Sequence, residues 1–225
     1  MKNSNPLIII LLGYSGSGKG TQAEFLRKEF NLDYMDSGTL LRERKKKNDF
    51  TGRQIAKVID AGGLLPTPII FKLWLDKFEE LKKDKDFKGF ITGGSPRKIM
   101  EARLIDEALE WYGWNKKVKI FLIKVSPEEV ITRLAKRRVC QKCGKIFVFA
   151  SPADKIKECP VCAGKIIKRK DDSESGVKKR LVWFKTEVGQ VIDYYRGAGR
   201  LTEIDGEQSI EEVFKDIFKK INGGN

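Results

Sequence analysis

The segment Gly13-Tyr-Ser-Gly-Ser-Gly-Lys19 constrains this chain more than any other. It follows Pro6 to Leu12 (PLIIILL), a continuous apolar run too short for a helix, which reads as a strand buried on both faces. It precedes Gly20 to Phe30, where Ala23, Phe25, Leu26 and Phe30 recur at helical spacing. A strand, a G-x4-G-K turn and a helix, in that order, make a phosphate cradle. Glycines let successive backbone N–H groups curl around an anion, and the helix N-terminus adds its dipole. Lys19 then reaches the outer phosphate oxygens. The candidate cradle residues are Gly16, Ser17, Gly18, Lys19, Gly20 and Thr21.

The rest of the chain alternates in the same way. Further strands are expected at Leu32 to Asp36, Lys88 to Thr92, Val118 to Val125 and Leu201 to Ile204. Helical text fills Gly38 to Leu81, with Gly62-Gly63 closing one helix and Pro66 and Pro68 opening the next. Helices are also expected over Arg97 to Trp111, Pro127 to Arg138, Asp171 toward Arg196, and Ile210 to Ile221. The pattern predicts an α/β fold: an open parallel sheet flanked by helices, with right-handed crossovers. The length of 225 residues suits one domain with inserted segments. No apolar run approaches the roughly 20 residues of a membrane helix. The longest, Leu7 to Leu12, runs straight into the glycine turn, unlike a secretory leader. A soluble cytoplasmic protein with no membrane partner is expected.

The chain has no histidine, which removes Ser-His triads, histidine bases and histidine metal ligands. A formal net charge of +14 suits a polyanionic partner such as a nucleotide or a nucleic acid, or simply keeps the surface soluble; charge alone does not decide. Cys140, Cys143, Cys159 and Cys162 are all the cysteines there are. Their C-x2-C-x15-C-x2-C spacing falls in the zinc-ribbon range. Such clustering in a chain of cytosolic character argues for metal over disulfides. Four thiolates close the coordination sphere, so a Zn²⁺ held there is structural and staples a segment too polar to fold alone. That segment, 139–170, carries eight Lys/Arg against two Asp/Glu and would suit a cover over phosphate.

Gly20 follows Lys19 where a plain P-loop has Ser or Thr, and the run Gly13-x4-Gly-Lys-Gly-Thr-Gln22 resembles adenylate kinase and the related nucleoside monophosphate kinases. The likeness continues in order. Asp36-Ser-Gly-Thr-Leu-Leu-Arg42 resembles the segment that opens the family's monophosphate site, and Gly62-Gly-Leu-Leu-Pro66 its Gly-x-Leu-Val-Pro turn. Gly94-Ser-Pro-Arg97 is similar to its Asp-Gly-Phe-Pro-Arg, and Arg133-x3-Arg137-Arg138-Val139-Cys140 to its lid entry. Arg169-Lys-Asp-Asp172 and Arg180-Leu181 resemble the lid exit, and Ile204-Asp205-Gly206 a late strand turn.

The resemblance implies a P-loop core (1–36, 85–138 and 171–225), a helical monophosphate-binding insert (37–84) and a zinc-ribbon lid (139–170). It also implies a monomer that transfers phosphate reversibly between ATP, with Mg²⁺, and AMP. By the same resemblance Arg133 and Arg137 join the cradle in binding ATP. Ser37, Arg42, Leu65, Gly94, Arg97, Glu101, Arg169 and Arg180 bind the monophosphate. Lys19, Arg97, Arg137, Arg169 and Arg180 carry the transfer. Arginine suits these places because its planar fork takes phosphate oxygens two at a time.

Four departures from the family pattern stand out. Thr39 and Gly93 replace the two Asp residues that usually hold the Mg²⁺ water shell; Asp36, or the pair Asp171-Asp172, is the available substitute. Glu101 replaces the Gln that reads the acceptor base, and Ser95 replaces a Phe. An ionised carboxylate only accepts hydrogen bonds, which matches the two adjacent donors of guanine better than adenine's donor–acceptor pair. AMP is the acceptor that the family implies, and GMP is the acceptor that Glu101 favours, unless Glu101 faces solvent or pairs with a cation such as Lys98. A rival class is a non-catalytic nucleotide- or nucleic-acid-binding protein using a basic zinc ribbon. Lys19 and the arginine set oppose it, so nucleic acid is not the expected partner.

Overall fold

The computed structural model describes residues 5–148, 156–169 and 172–223. β1 (Leu7–Leu12) leads through the glycine turn into α1 (Lys19–Phe30), followed by β2 (Asp33–Tyr34), α2 (Ser37–Arg44), α3 (Phe50–Asp60) and α4 (Thr67–Lys83). Then come β3 (Gly89–Thr92), α5 (Ile99–Trp111), β4 (Val118–Lys124), α6 (Pro127–Lys136), β5 (Arg137–Cys140), β6 (Ile146–Val148) and β7 (Ile166–Ile167). The chain closes with α7 (Glu174–Trp183), a π-helical turn (Phe184–Val188), α8 (Gly189–Gly197), β8 (Leu201–Asp205) and α9 (Ile210–Asn222).

The main sheet is parallel, in the order β2-β3-β1-β4-β8. β1 is central, paired with β3 and β4 through Ile9–Ile91 and Ile10–Ile120. Its run is apolar throughout because helices cover both faces. Ile8, Ile10 and Leu12 pack toward α4, α5 and α8, while Leu7, Ile9 and Leu11 pack toward α1 and α9. Burying each such side chain contributes about 1.5–3 kcal/mol, which is why the sheet centre is the rigid base for the turn that follows it.

The helical insert is α2, α3 and α4, with Gly62 at φ 72° ending the turn after α3 as expected. The cysteine segment forms its own antiparallel sheet, β6-β5-β7. Several boundaries shift from the sequence reading, among them β2, which is only Asp33–Tyr34, and α5, which starts at Ile99 rather than Arg97; two of the shifts have a visible cause. α6 stops at Lys136 rather than Arg138, because Arg137 turns extended to begin β5. The helix expected from Asp171 to Arg196 starts at Glu174 under a Ser173 cap and is broken by the π-helical turn. Asp171 lies outside the described residues, as does Lys170. Among the described residues no helix is long and apolar enough to cross a membrane.

Candidate active site

The glycine turn sits where β1 ends. Gly16 and Gly18 take φ of 92° and 96°, the left-handed region that glycine tolerates, so the backbone can fold back before α1 starts. Ser17 is buried inside the turn and its N–H donates to the Tyr14 carbonyl at 3.0 Å. The Lys19 ammonium donates to the Gly13 and Tyr14 carbonyls, both at 2.6 Å. Burial, and then the charge of Arg97, lower its pKa to about 7, with Asp36 opposing and Arg137 adding to the shift. A phosphate among these cations would restore the charge.

Arg97 follows β3. Its Nε donates to the Gly94 carbonyl at 2.6 Å, and its guanidinium lies over the Trp183 ring at 5.3 Å. Arg137 is buried in a two-pronged pair with Asp172, at 2.8 and 2.5 Å, and Arg180 joins the same carboxylate at 3.1 Å. The charge of Arg169 bears on both Arg97 and Arg137. Lys19, Arg97, Arg137, Arg169 and Arg180 are therefore brought together from α1, the β3–α5 turn, β5, the lid exit and α7. The cysteine segment's sheet lies beside the turn: Ile146 Cδ1 of β6 is 3.9 Å from where a Cβ on Gly20 would stand.

Arg42 stands at the rim. Its Nη2 donates to the Thr39 hydroxyl at 2.9 Å and lies 3.5 Å from Asp36 Oδ2. Arg133 pairs with Glu129 at 2.7 Å on its own helix. Leu65 is buried, and its carbonyl accepts from Lys98 at 3.1 Å, which ties the insert to the start of α5. The Ser37 hydroxyl is buried, accepting from Trp74 Nε1 at 3.0 Å and sharing a short hydrogen bond with Ser95.

Glu101 neither faces solvent nor pairs with Lys98's ammonium. It is buried at the third position of α5, where Oε2 accepts the Arg97 backbone N–H at 2.7 Å. Burial raises its pKa, against those backbone hydrogen bonds.

Asp36 caps α2, with Oδ2 accepting from the Thr39 N–H at 2.9 Å. Its Oδ1 lies over Gly94, beside Arg97. Asp172, the other substitute for the absent acids, is taken up by its two arginines. Beside Gly93 there is room: a Cβ there would stand 3.6 Å from the Lys19 Cβ and from the Tyr34 hydroxyl.

The four cysteine sulfurs lie within 4.8 Å of one another. The Cys140–Cys162 and Cys143–Cys159 Sγ separations are 3.4 and 3.7 Å. Disulfides are about 2.05 Å long. Tetrahedral Zn–S bonds of about 2.3 Å put sulfurs about 3.8 Å apart, so this donor set fits zinc. Each Cys-x2-Cys turn is followed by a left-handed residue, Gly144 at φ 75° and Ala163 at φ 54°, which folds both turns around a common point.

Spacing alone did not reveal Asp172's bridging of two arginines or Trp183's stacking on Arg97. The available signal for Trp183 was its place three residues after Arg180 on one helix.

A parallel sheet whose central strand feeds a phosphate cradle ringed by arginines defines a P-loop phosphotransferase. A family model described as "Adenylate kinase" matches residues 11–200. An adenylate kinase of Caldicellulosiruptor bescii is 36% identical over 95% of this chain and 98% of its own length. Those of Clostridium botulinum and Chlamydia muridarum are 36% and 33% identical over 93% and 98% of the chain, and 95% and 89% of their own lengths. The chain belongs to the adenylate kinase family and is an ATP-dependent nucleoside monophosphate kinase.

Proposed function

We propose that this protein transfers the γ-phosphoryl group of ATP to AMP, reversibly, giving two ADP. The observation that carries the reading is the convergence of Lys19, Arg97, Arg137, Arg169 and Arg180 on the glycine turn. Phosphoryl transfer needs little covalent help from a protein; it needs alignment and compensation of charge on the equatorial oxygens. An oxygen of the acceptor phosphate attacks the γ-phosphorus as the bond to the β–γ bridging oxygen breaks. Gly16, Ser17, Gly18, Lys19, Gly20 and Thr21 would cradle ATP, with Arg133 and Arg137 on its lid side. Arg42 and Arg97 would hold the acceptor phosphate, between Leu65, Gly94 and the start of α2 at Ser37. Arg169 and Arg180 would span both nucleotides. Closure of the basic lid would exclude water, the competing acceptor.

Mg²⁺ bound with ATP supplies charge neutralisation at the β and γ oxygens. Asp36 is the acid we assign to its water shell, because its Oδ1 lies over Gly94 beside Arg97 and its charge acts on Lys19. Zn²⁺ at Cys140, Cys143, Cys159 and Cys162 is structural, since four thiolates leave no open position. A monomer working in the cytoplasm fits this reading.

AMP is the family acceptor. Glu101 keeps GMP as the physical challenger, because a carboxylate offers no donor to adenine's ring nitrogen. Turnover on a panel of monophosphates tests both. The reading expects ADP from ATP and AMP, and a kcat/KM ratio of AMP to GMP that rises in Glu101→Gln. A ratio unmoved by that substitution removes Glu101 from base reading, and leaves it the helix-capping role of its hydrogen bond to Arg97.

A further inference from the structure

Trp183 is the last residue of α7, directly before the π-helical turn. Such turns interrupt a helix at a cost and recur at functional sites. Here the turn's first residue, Phe184, packs its ring on Tyr14 of the glycine turn, with centroids 3.7 Å apart. Three residues earlier, Arg180 is fixed to Asp172. Trp183 is thus held from both sides, and its ring packs against the core that contains Leu41 and Leu65 of the insert.

Two features of this indole are unexplained by packing. Its ring is the platform for the Arg97 guanidinium, at 5.3 Å. Its Nε1–H is buried and has no hydrogen-bond partner. A buried donor left without an acceptor is unfavourable, and native proteins retain few of them. Arg97 bonds the Gly94 carbonyl through Nε. Among the described residues its terminal amino groups make no hydrogen bond to the protein, so they too are donors without an acceptor.

We propose that Trp183 is a binding residue of the acceptor site: its ring sets the plane of Arg97, and its N–H donates to an oxygen of the bound monophosphate's phosphate group. The proposal rests on Arg97 being the acceptor's phosphate clamp. A hydrogen bond to a charged oxygen is worth about a tenfold to hundredfold change in affinity. A phenylalanine keeps the ring and removes the donor; a leucine removes both.

The test is direct binding of AMP and of adenosine, each without ATP, by calorimetry to the full chain. Trp183→Phe is expected to weaken AMP about tenfold or more, to leave adenosine within about twofold, and to keep the wild-type melting temperature, because the donor it removes was unsatisfied. Trp183→Leu is expected to weaken AMP further. AMP affinity in Trp183→Phe within about twofold of wild type overturns the proposal. So does an equal loss for AMP and adenosine, which marks a packing role. Arg97→Lys separates the two readings: if it leaves AMP binding unchanged, the phosphate clamp itself is wrong, whatever Trp183 does.

Discussion

Asp172 grips Arg137 by both edges of the guanidinium, Nε to Oδ2 at 2.8 Å and Nη2 to Oδ1 at 2.5 Å, and Oδ1 also accepts from Arg180. The carboxylate is wholly buried, so it joins the first strand of the lid sheet to α7 while compensating two cations that would otherwise repel. Removing one partner of a buried ion pair typically costs about 3–5 kcal/mol, because the other charge is left uncompensated. Asp172→Asn is expected to lose stability of that order in urea unfolding. A loss below about 1 kcal/mol would be that of an exposed pair and would contradict the burial.

The proposed zinc site at the four cysteines carries a prediction for the segment around it. Purified protein should carry one Zn²⁺ per chain at Cys140, Cys143, Cys159 and Cys162. Chelation should lower the melting temperature and free thiols for titration, because metal-binding free energy is folding free energy in so small a segment. Metal analysis that finds no zinc, or native disulfides, would remove the centre.

Asp36 is the test of the magnesium assignment. With Thr39 and Gly93 lacking carboxylates, Mg²⁺ keeps fewer outer-shell acceptors, and turnover should need more Mg²⁺ than in a relative bearing both acids. Asp36→Asn keeps a capping oxygen for α2, since Asn caps as well as Asp, and should raise the requirement further. Gly93→Asp, which has room beside Tyr34, should lower it. Mn²⁺ affinity of the ATP complex, read by electron paramagnetic resonance, should follow the same order. Saturation that none of these changes moves would dismiss Asp36 from the role.

Lys19 predicts a proton linkage. In the free protein burial and Arg97 lower its pKa to about 7, and a phosphate draws it back up. The complex then binds more protons than the free protein at pH above that value. Nucleotide binding should therefore take up close to one proton at about pH 8 and much less at about pH 6. Calorimetry in buffers of different ionisation enthalpy reads the number. Uptake that is absent at both, or persists in Lys19→Ala, would assign it elsewhere.

The glycine turn was legible because PLIIILL is too short and too apolar for anything but a buried strand to fit well, and a G-x4-G-K turn between strand and helix is the context a phosphate cradle needs. The cysteine cluster was legible from spacing alone, and the structure folds it to a point with two matching turns. The end of α6 was not. Arg137 and Arg138 are good helix formers, and what ends the helix is the pairing of β5 with β6 and β7 and the Asp172 ion pair, both long-range. The π-helical turn was hidden too, since Trp183 to Gly189 reads as continuous helix and the contact made at the break, Phe184 on Tyr14, is long-range. Glu101 was read by its place in a family motif, yet it occupies the third helical position after Lys98, where a glutamate commonly caps its own helix.

Formation of ADP from ATP and AMP by the wild-type protein, beside Lys19→Ala shown by circular dichroism to be folded, tests the central claim most directly. The wild type should convert the pair, and the variant should lose on the order of 10²–10³ in rate or more, as when a transition-state donor is removed. A wild type that forms no ADP, or a folded Lys19→Ala that is equally active, would contradict the assignment of phosphoryl transfer to this glycine turn.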